Sequence, residues 1–142
     1  MKTVRQLLGV KGSEILSISP ESQVYDALVV MAEHRVGALV VLKDQKLVGI
    51  FSERDYARSV ALKGKTSKNT LVSEIMSSTV ITVTPENTVE DCMNLMSGKR
   101  IRHLPVIEND RVIGVLSIGD LVKETIAYQA FLIKQLEQYI QS

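Results

Sequence analysis

Residues 83–123, VTPENTVEDCMNLMSGKRIRHLPVIENDRVIGVLSIGDLVK, repeat residues 18–58, ISPESQVYDALVVMAEHRVGALVVLKDQKLVGIFSERDYAR, without a gap. The offset is 65, the separation of Pro85 from Pro20. Eleven of the 41 aligned pairs are identical: Pro20/Pro85, Glu21/Glu86, Val24/Val89, Asp26/Asp91, Met31/Met96, Arg35/Arg100, Leu39/Leu104, Val41/Val106, Gly49/Gly114, Ser52/Ser117 and Asp55/Asp120. Most other pairs keep their apolar or polar character. A repeat of this length is one supersecondary unit, and such a unit does not bury its hydrophobic face alone. Two copies in one chain predict a pseudo-symmetric pair packed face to face, with equivalent clefts between the halves.

Within each copy the pattern reads strand, helix, strand, strand, helix. In the first, residues 14–19 form a short run rich in Ile and Leu that Pro20 ends. Val24, Ala27, Leu28, Met31 and Ala32 then follow at the spacing of an amphipathic helix, with Ser22 or Gln23 at its start. The second copy has a capping-box pattern there, Thr88 with Asp91. Residues 38–42 are a Val-rich run typical of a buried strand, 43–46 (KDQK) a polar turn, and 47–51 the next strand. A second helix starts at Ser52 and runs to about Lys63. The matching segments of the second copy are 80–84, 89–99, 104–107, 112–116 and a helix from about Ile118. Upstream, 4–8 (VRQLL) resembles 72–76 (VSEIM) at an offset of 68, so the first copy carries three extra residues there, including Gly9 and Gly12.

The expected fold class is therefore α+β, two pseudo-symmetric βαββα repeats packed sheet to sheet, divided in sequence as residues 1–66 and 67–142. A unit of roughly 60 residues is marginal alone, so the halves need each other. From Asp120 the helical pattern runs to Gln141 without Gly or Pro, with Leu121, Ile126, Leu132, Ile133, Leu136, Tyr139 and Ile140 on an apolar side. That surplus helix predicts a contact between subunits.

Composition narrows the function. Seventeen basic and sixteen acidic residues give a net charge of +1, against the strong basic footprint of a nucleic-acid binder. The lysines of 63–68 (KGKTSK) read as a solvated linker. Cys92 is the one cysteine, so no intrachain disulfide forms, and its place on an apolar helix position marks it as a small buried hydrophobe. No signal-peptide pattern opens the chain and no apolar run is long enough to span a membrane, so the expectation is a cytoplasmic protein.

The candidate chemistry lies in a doubled Gly-x-x-Ser-x-x-Asp: Gly49, Ser52 and Asp55, then Gly114, Ser117 and Asp120. Ser-x-x-Asp is itself a capping box. A carboxylate at a strand end and helix start also accepts two hydrogen bonds from the vicinal hydroxyls of a ribose, each worth about 1.5–3 kcal/mol. The helix N-terminus and the Ser hydroxyl offer donors to a phosphate. The two roles are compatible. A second candidate is 99–106 (KRIRHLPV), where Arg102 and His103 face Gly37 and Ala38 of the first copy. This asymmetry predicts one cleft lined with charge and one opened by small residues.

Together these motifs resemble the CBS domain pair, also called a Bateman module, and most closely its small stand-alone bacterial members. The match covers nearly the whole chain and rests on Pro20 and Pro85 opening each helix, the Arg-x-x-x-Leu-x-Val segments, and the doubled Gly-x-x-Ser-x-x-Asp. The resemblance implies a sensor of an adenosyl ligand with no catalytic cofactor. The regulatory ligand it implies is AMP or NAD, with ADP, ATP and S-adenosylmethionine in the same class. It implies Asp55 and Asp120 on the two riboses with Ser52 and Ser117 beside them. It implies Val80, Thr82, Ile101 and Pro105 against the adenine of the Asp55 site, and Ile15, Leu16, Ser17, Val36 and Val40 for the Asp120 site. Arg102 and His103 would meet phosphate at the Asp55 site, and Arg54 phosphate at either. A triphosphate at the Asp120 site is disfavoured, since Gly37 and Ala38 supply no cation. A homodimer, shaped in this family as a flat disc, fits the surplus helix. The signal would pass to a downstream protein through rearrangement of repeats or dimer halves.

Two other classes compete. An enzyme needs a nucleophile or base within reach of its partner, but His34 and His103 are isolated and no metal-spaced cluster appears. A structural or partner-binding dimerisation module with unoccupied clefts would retain the carboxylates as caps only.

Overall fold

The computed structural model describes residues 2–12 and 14–141. Matched residues of the repeat take matched roles. Val24 and Val89, Met31 and Met96, Leu39 and Leu104, and Val41 and Val106 are all buried. Arg35 and Arg100 each close a helix in the left-handed region at φ 55°, with the backbone N–H bonded to Met31 and Met96 respectively.

The elements are α1 (Val4–Lys11), β1 (Ser17–Ile18), α2 (Val24–His34), β2 (Ala38–Lys43), β3 (Lys46–Ser52), α3 (Glu53–Tyr56), α4 (Val72–Ile75), α5 (Val89–Lys99), β4 (His103–Glu108), β5 (Arg111–Ser117) and α6 (Ile118–Gln141). This is the α+β architecture expected from the repeat, with its long C-terminal helix. Both β-hairpins turn through two residues at positive φ, Asp44–Gln45 and Asn109–Asp110, whose twist matches that of the flanking strands.

The chain divides into two compact units. One comprises residues 14–81 and 109–112; the other comprises residues 1–13, 82–108 and 113–142. In the first, β1 runs parallel to β2 and β2 antiparallel to β3. The buried face of α2, Val24, Ala27 and Met31, joins Leu39, Val41, Phe51, Val60, Val72 and Ile75 in one core. Ala32, expected on that face, is exposed. In the second unit β4 pairs with β5, and Cys92 of α5 is buried as expected. Burial, with Asp91 nearby, pushes its thiol up to about 11.

Each leader helix docks on the other repeat. The N–H groups of Val4 and Arg5 bond the carbonyls of Asn87 and Pro85 at 2.8 and 2.9 Å. Those of Val72 and Ser73 bond Ser22 and Pro20 at the same distances. The repeats 1–66 and 67–142 are therefore interleaved in the compact units. Glycine at the head of each Gly-x-x-Ser-x-x-Asp makes this docking possible. A Cβ at Gly114 would lie 2.6 Å from Leu8 Cδ2, and one at Gly49 would lie 2.6 Å from Met76 Sδ. Leu8 and Met76 are themselves matched leader positions.

The copies differ where local chemistry differs. The run 14–19 narrows to the two residues of β1, and residues 80–84 form no strand. Where the first copy has Val40, paired with Ser17, the second has Pro105. Pro105 lacks an N–H, so the ladder shrinks to one parallel bridge, Val83 with Val106. The helix expected from Ser52 to about Lys63 is α3 followed by a π turn, Ala57–Ala61, whereas α6 is continuous. In the linker, Lys68 stands 4.8 Å from the Tyr25 ring centroid.

Gly114→Ala is expected to destabilise the protein by about 1–3 kcal/mol through overpacking against Leu8. In urea melts, Leu8→Ala combined with Gly114→Ala should cost less than the two separate effects added. Strict additivity would show that the glycine is not there for the leader.

Candidate functional site

Each Asp of the doubled motif stands where a strand hands over to a helix. At the first corner Ser52 Oγ accepts the N–H of Asp55 at 3.3 Å, and Asp55 Oδ2 accepts the N–H of Ser52 at 2.9 Å. The Ser52 hydroxyl also donates to Oδ2 at 3.0 Å. At the second corner Ser117 Oγ accepts from Asp120 N–H at 3.2 Å, and Asp120 Oδ2 accepts from Ser117 N–H at 2.8 Å. Both are capping boxes. A further backbone bond braces each corner, Glu53 N–H to the Gly37 carbonyl at 3.0 Å and Ile118 N–H to the Arg102 carbonyl at 2.9 Å.

In both carboxylates the described hydrogen bonds fall on Oδ2. Oδ1 retains the capacity to accept from a ligand hydroxyl, so capping and ribose binding do not compete for the same lone pairs.

Within the first unit, Val36 immediately precedes Gly37, whose carbonyl braces the Asp55 corner. Val40 is buried in β2, with Ile15 and Leu16 half-buried and Ser17 on β1. Arg54 sits between Glu53 and Asp55 in α3, and Val80 belongs to the same unit. In the second unit, Ile101 and Arg102 lead into β4, which carries His103 and the buried Pro105; Thr82 is exposed. The structure gathers Arg102 and His103 with Asp120. Burial and the positive charges of Lys11 and Arg102 lower the His103 pKa against the opposing charge of Asp120.

The sequence reading missed Lys11. It stands at the C-terminal end of α1, and its Nζ donates to Asp120 Oδ2 and to the Val115 carbonyl, both at 2.5 Å. Burial pushes the Asp120 carboxyl up. The Lys11 hydrogen bond and charge, with the Ser117 amide, outweigh that and hold it below its ordinary value. The second corner thus has the cation that Gly37 and Ala38 were expected to deny it. Its signal in the sequence was the three-residue leader insertion, but α1 docks on the distant repeat, and no local pattern reveals that.

Among the described residues no group of three or more His, Cys, Asp or Glu side chains is placed to hold a metal ion. Within the same residues no helix is long and apolar enough to cross a membrane.

The lowered Asp120 pKa fixes the sign of a pH effect. Its stabilisation is full above the ordinary Asp value, about 4, and is lost as pH falls through the lower folded value. The advantage of the native chain over Asp120→Asn in denaturant melts should therefore be constant near neutrality and vanish towards pH 2. An advantage that does not change across that range would assign the stabilisation to something other than the ionised carboxylate.

The CBS domain family model matches residues 9–62 and 72–126. The chain is 41% identical to the mitochondrial CBS domain-containing protein CBSX3 of Arabidopsis thaliana, over 98% of this chain and 72% of that protein. A solved structure of a protein with CBS domains from Burkholderia ambifaria MC40-6 is 45% identical, with a TM-score of 0.86 over 89% of this chain and 95% of that one. The CBS domain pair of protein MJ0100, solved in complex with 5′-methylthioadenosine and S-adenosyl-L-methionine, shares the fold at 23% identity, with a TM-score of 0.79 over 90% of this chain and 98% of that one. With both repeats matched and the fold shared along nearly its whole length, the chain belongs to the CBS domain family, as a tandem pair of the kind that serves as a regulatory module.

Proposed function

We propose that the protein is a sensor that binds an adenosyl ligand, AMP or NAD, through the corners at Asp55 and Asp120. ATP and S-adenosylmethionine belong to the same class of ligand. The observation that carries this reading is the doubled corner itself, in which a carboxylate anchored through Oδ2 keeps Oδ1 for a ribose hydroxyl. A protein of the same fold holding 5′-methylthioadenosine and S-adenosyl-L-methionine supports the choice of ligand class. The lining assigned to adenine and phosphate by family resemblance, with Arg54, Arg102 and His103 on phosphate, is part of the proposal. The ligand signals by binding one arrangement of the protein more tightly than another.

The partner half of the reading rests on α6. Val122, Ile126, Gln129, Ile133, Leu136 and Ile140 follow one another at alternating spacings of four and three, the repeat of a coiled-coil seam. The five apolar members of that series are exposed. A second copy of the chain covers this seam, with Gln129 as the polar position that sets register. Light scattering should give a dimer, and Ile133→Glu with Leu136→Glu should give a monomer that still melts cooperatively. A native chain that is monomeric at tens of micromolar would remove the dimer.

Isothermal titration of ligand-stripped protein with AMP, ATP, NAD, NADH and S-adenosylmethionine tests the ligand half. One of the five should bind at micromolar concentration. Asp→Ala at the occupied corner should weaken it roughly 10–100-fold, the loss of about 1.5–3 kcal/mol. Silence with all five up to millimolar would leave both carboxylates as caps and favour a partner-binding module.

A further inference from the structure

We infer that Lys11 is a ligand-binding residue of the Asp120 corner and that it makes this corner selective for a phosphorylated ribose over an uncharged nucleoside. The inference rests on the nucleotide reading above and deepens it.

The argument begins with a length difference. Helix α1 has eight residues and its counterpart α4 has four. Beyond Leu8, which is buried and matches Met76 of the other leader, the added turn buries no apolar group. Gly9 has open space around its Cα, Val10 is 73% exposed, and Gly12 ends the helix at φ 95°. Glycine is a poor residue with which to extend a helix for its own sake. What the extension does provide is an ammonium group at the corner, bonded to Asp120 and to the Val115 carbonyl. The side chains of Lys11 and Asp120 are 36% and 21% exposed. A pair so open to water adds little stability, so a gain in stability does not account for the extra turn. The leader beneath the first corner has no matching lysine, because the position 68 residues after Lys11 is Thr79.

Charge counting gives the ligand class. Lys11 and Arg102 bring two cations to the surroundings of one carboxylate, and both act on the neighbouring His103. A ribose diol bonding Asp120 shares the carboxylate with Lys11. If the ligand is uncharged, the ammonium loses part of its partner and gains nothing. If the ribose carries a phosphate, the ammonium swings on its flexible four-carbon stem to the new anion while Asp120 keeps the diol. The corner therefore favours AMP over adenosine.

The test titrates adenosine, 5′-AMP and 2′-AMP into an Asp55→Asn background, which leaves the Asp120 corner as the one read. Lys11→Met keeps most of the stem and removes the charge; Lys11→Arg keeps the charge. One phosphate isomer should bind best and show which ribose position the ammonium reaches. That isomer should weaken roughly 10–100-fold in Lys11→Met, with adenosine unchanged or tighter, and Lys11→Arg should retain most of the affinity. Equal losses for adenosine and the nucleotide, or no loss for either, would overturn the assignment and leave Lys11 as a structural ion pair. The same conclusion follows if AMP binds the native chain but not the Asp55→Asn background. Should Lys11→Met melt early, the ratio of AMP to adenosine affinity in Lys11→Gln decides, since loss of a phosphate contact lowers that ratio and a purely structural pair leaves it unmoved. A native chain that binds none of the three probes overturns the nucleotide reading and this inference with it.

Discussion

Both units are organised by one contact, a leader side chain seated on a strand glycine of the other repeat. Leu8 lies on Gly114 and Met76 on Gly49, at separations that leave no room for a β-carbon. Two backbone hydrogen bonds from the start of each leader fix it to the loop before the repeat's first helix. Three residues downstream of each glycine comes the Ser that caps the next helix, and three beyond that the Asp that closes the capping box. Leader docking, strand and corner are thus one connected device. The position of Asp120 relative to Lys11 follows from how α1 sits on β5.

The sequence made much of this legible because the repeat provides an internal comparison. Met31 and Met96, or Leu39 and Leu104, are each ambiguous alone, but identical residues at identical spacing mark them as core, and they are buried. The capping boxes at Thr88, Ser52 and Ser117, the two hairpin turns and the extent of α6 were also readable, since all are local patterns. The failures share a different cause. A strand over 80–84 depends on a donor from Pro105, which has none to give. Lys11 matters through a residue 109 positions away, and periodicity says nothing about contacts at that range. For the same reason the doubled Gly read as a motif letter rather than as the floor of a leader helix.

The two corners show how a structural element is available for function without being altered for it. A capping box uses one carboxylate oxygen and fixes the other in space. The stabilisation of the helix start and the orientation of the free oxygen come from the same bonds. A side chain held by two groups of its own corner has little rotamer freedom left to lose when a ligand arrives. The copies then diverge around that shared core: α1 gains a turn, α3 passes into a π turn, and Gly37 and Ala38 give way to Arg102 and His103.

The exchange of leaders also constrains how the chain is made. Val4, Leu7 and Leu8 leave the ribosome well before the segment on which their leader docks, which begins at Pro85 and Asn87. At about 5–20 residues per second, that segment follows roughly 4–16 s later. Through that interval three apolar side chains have no native surface to rest on, so the nascent leader depends on a chaperone's shelter until the second repeat emerges.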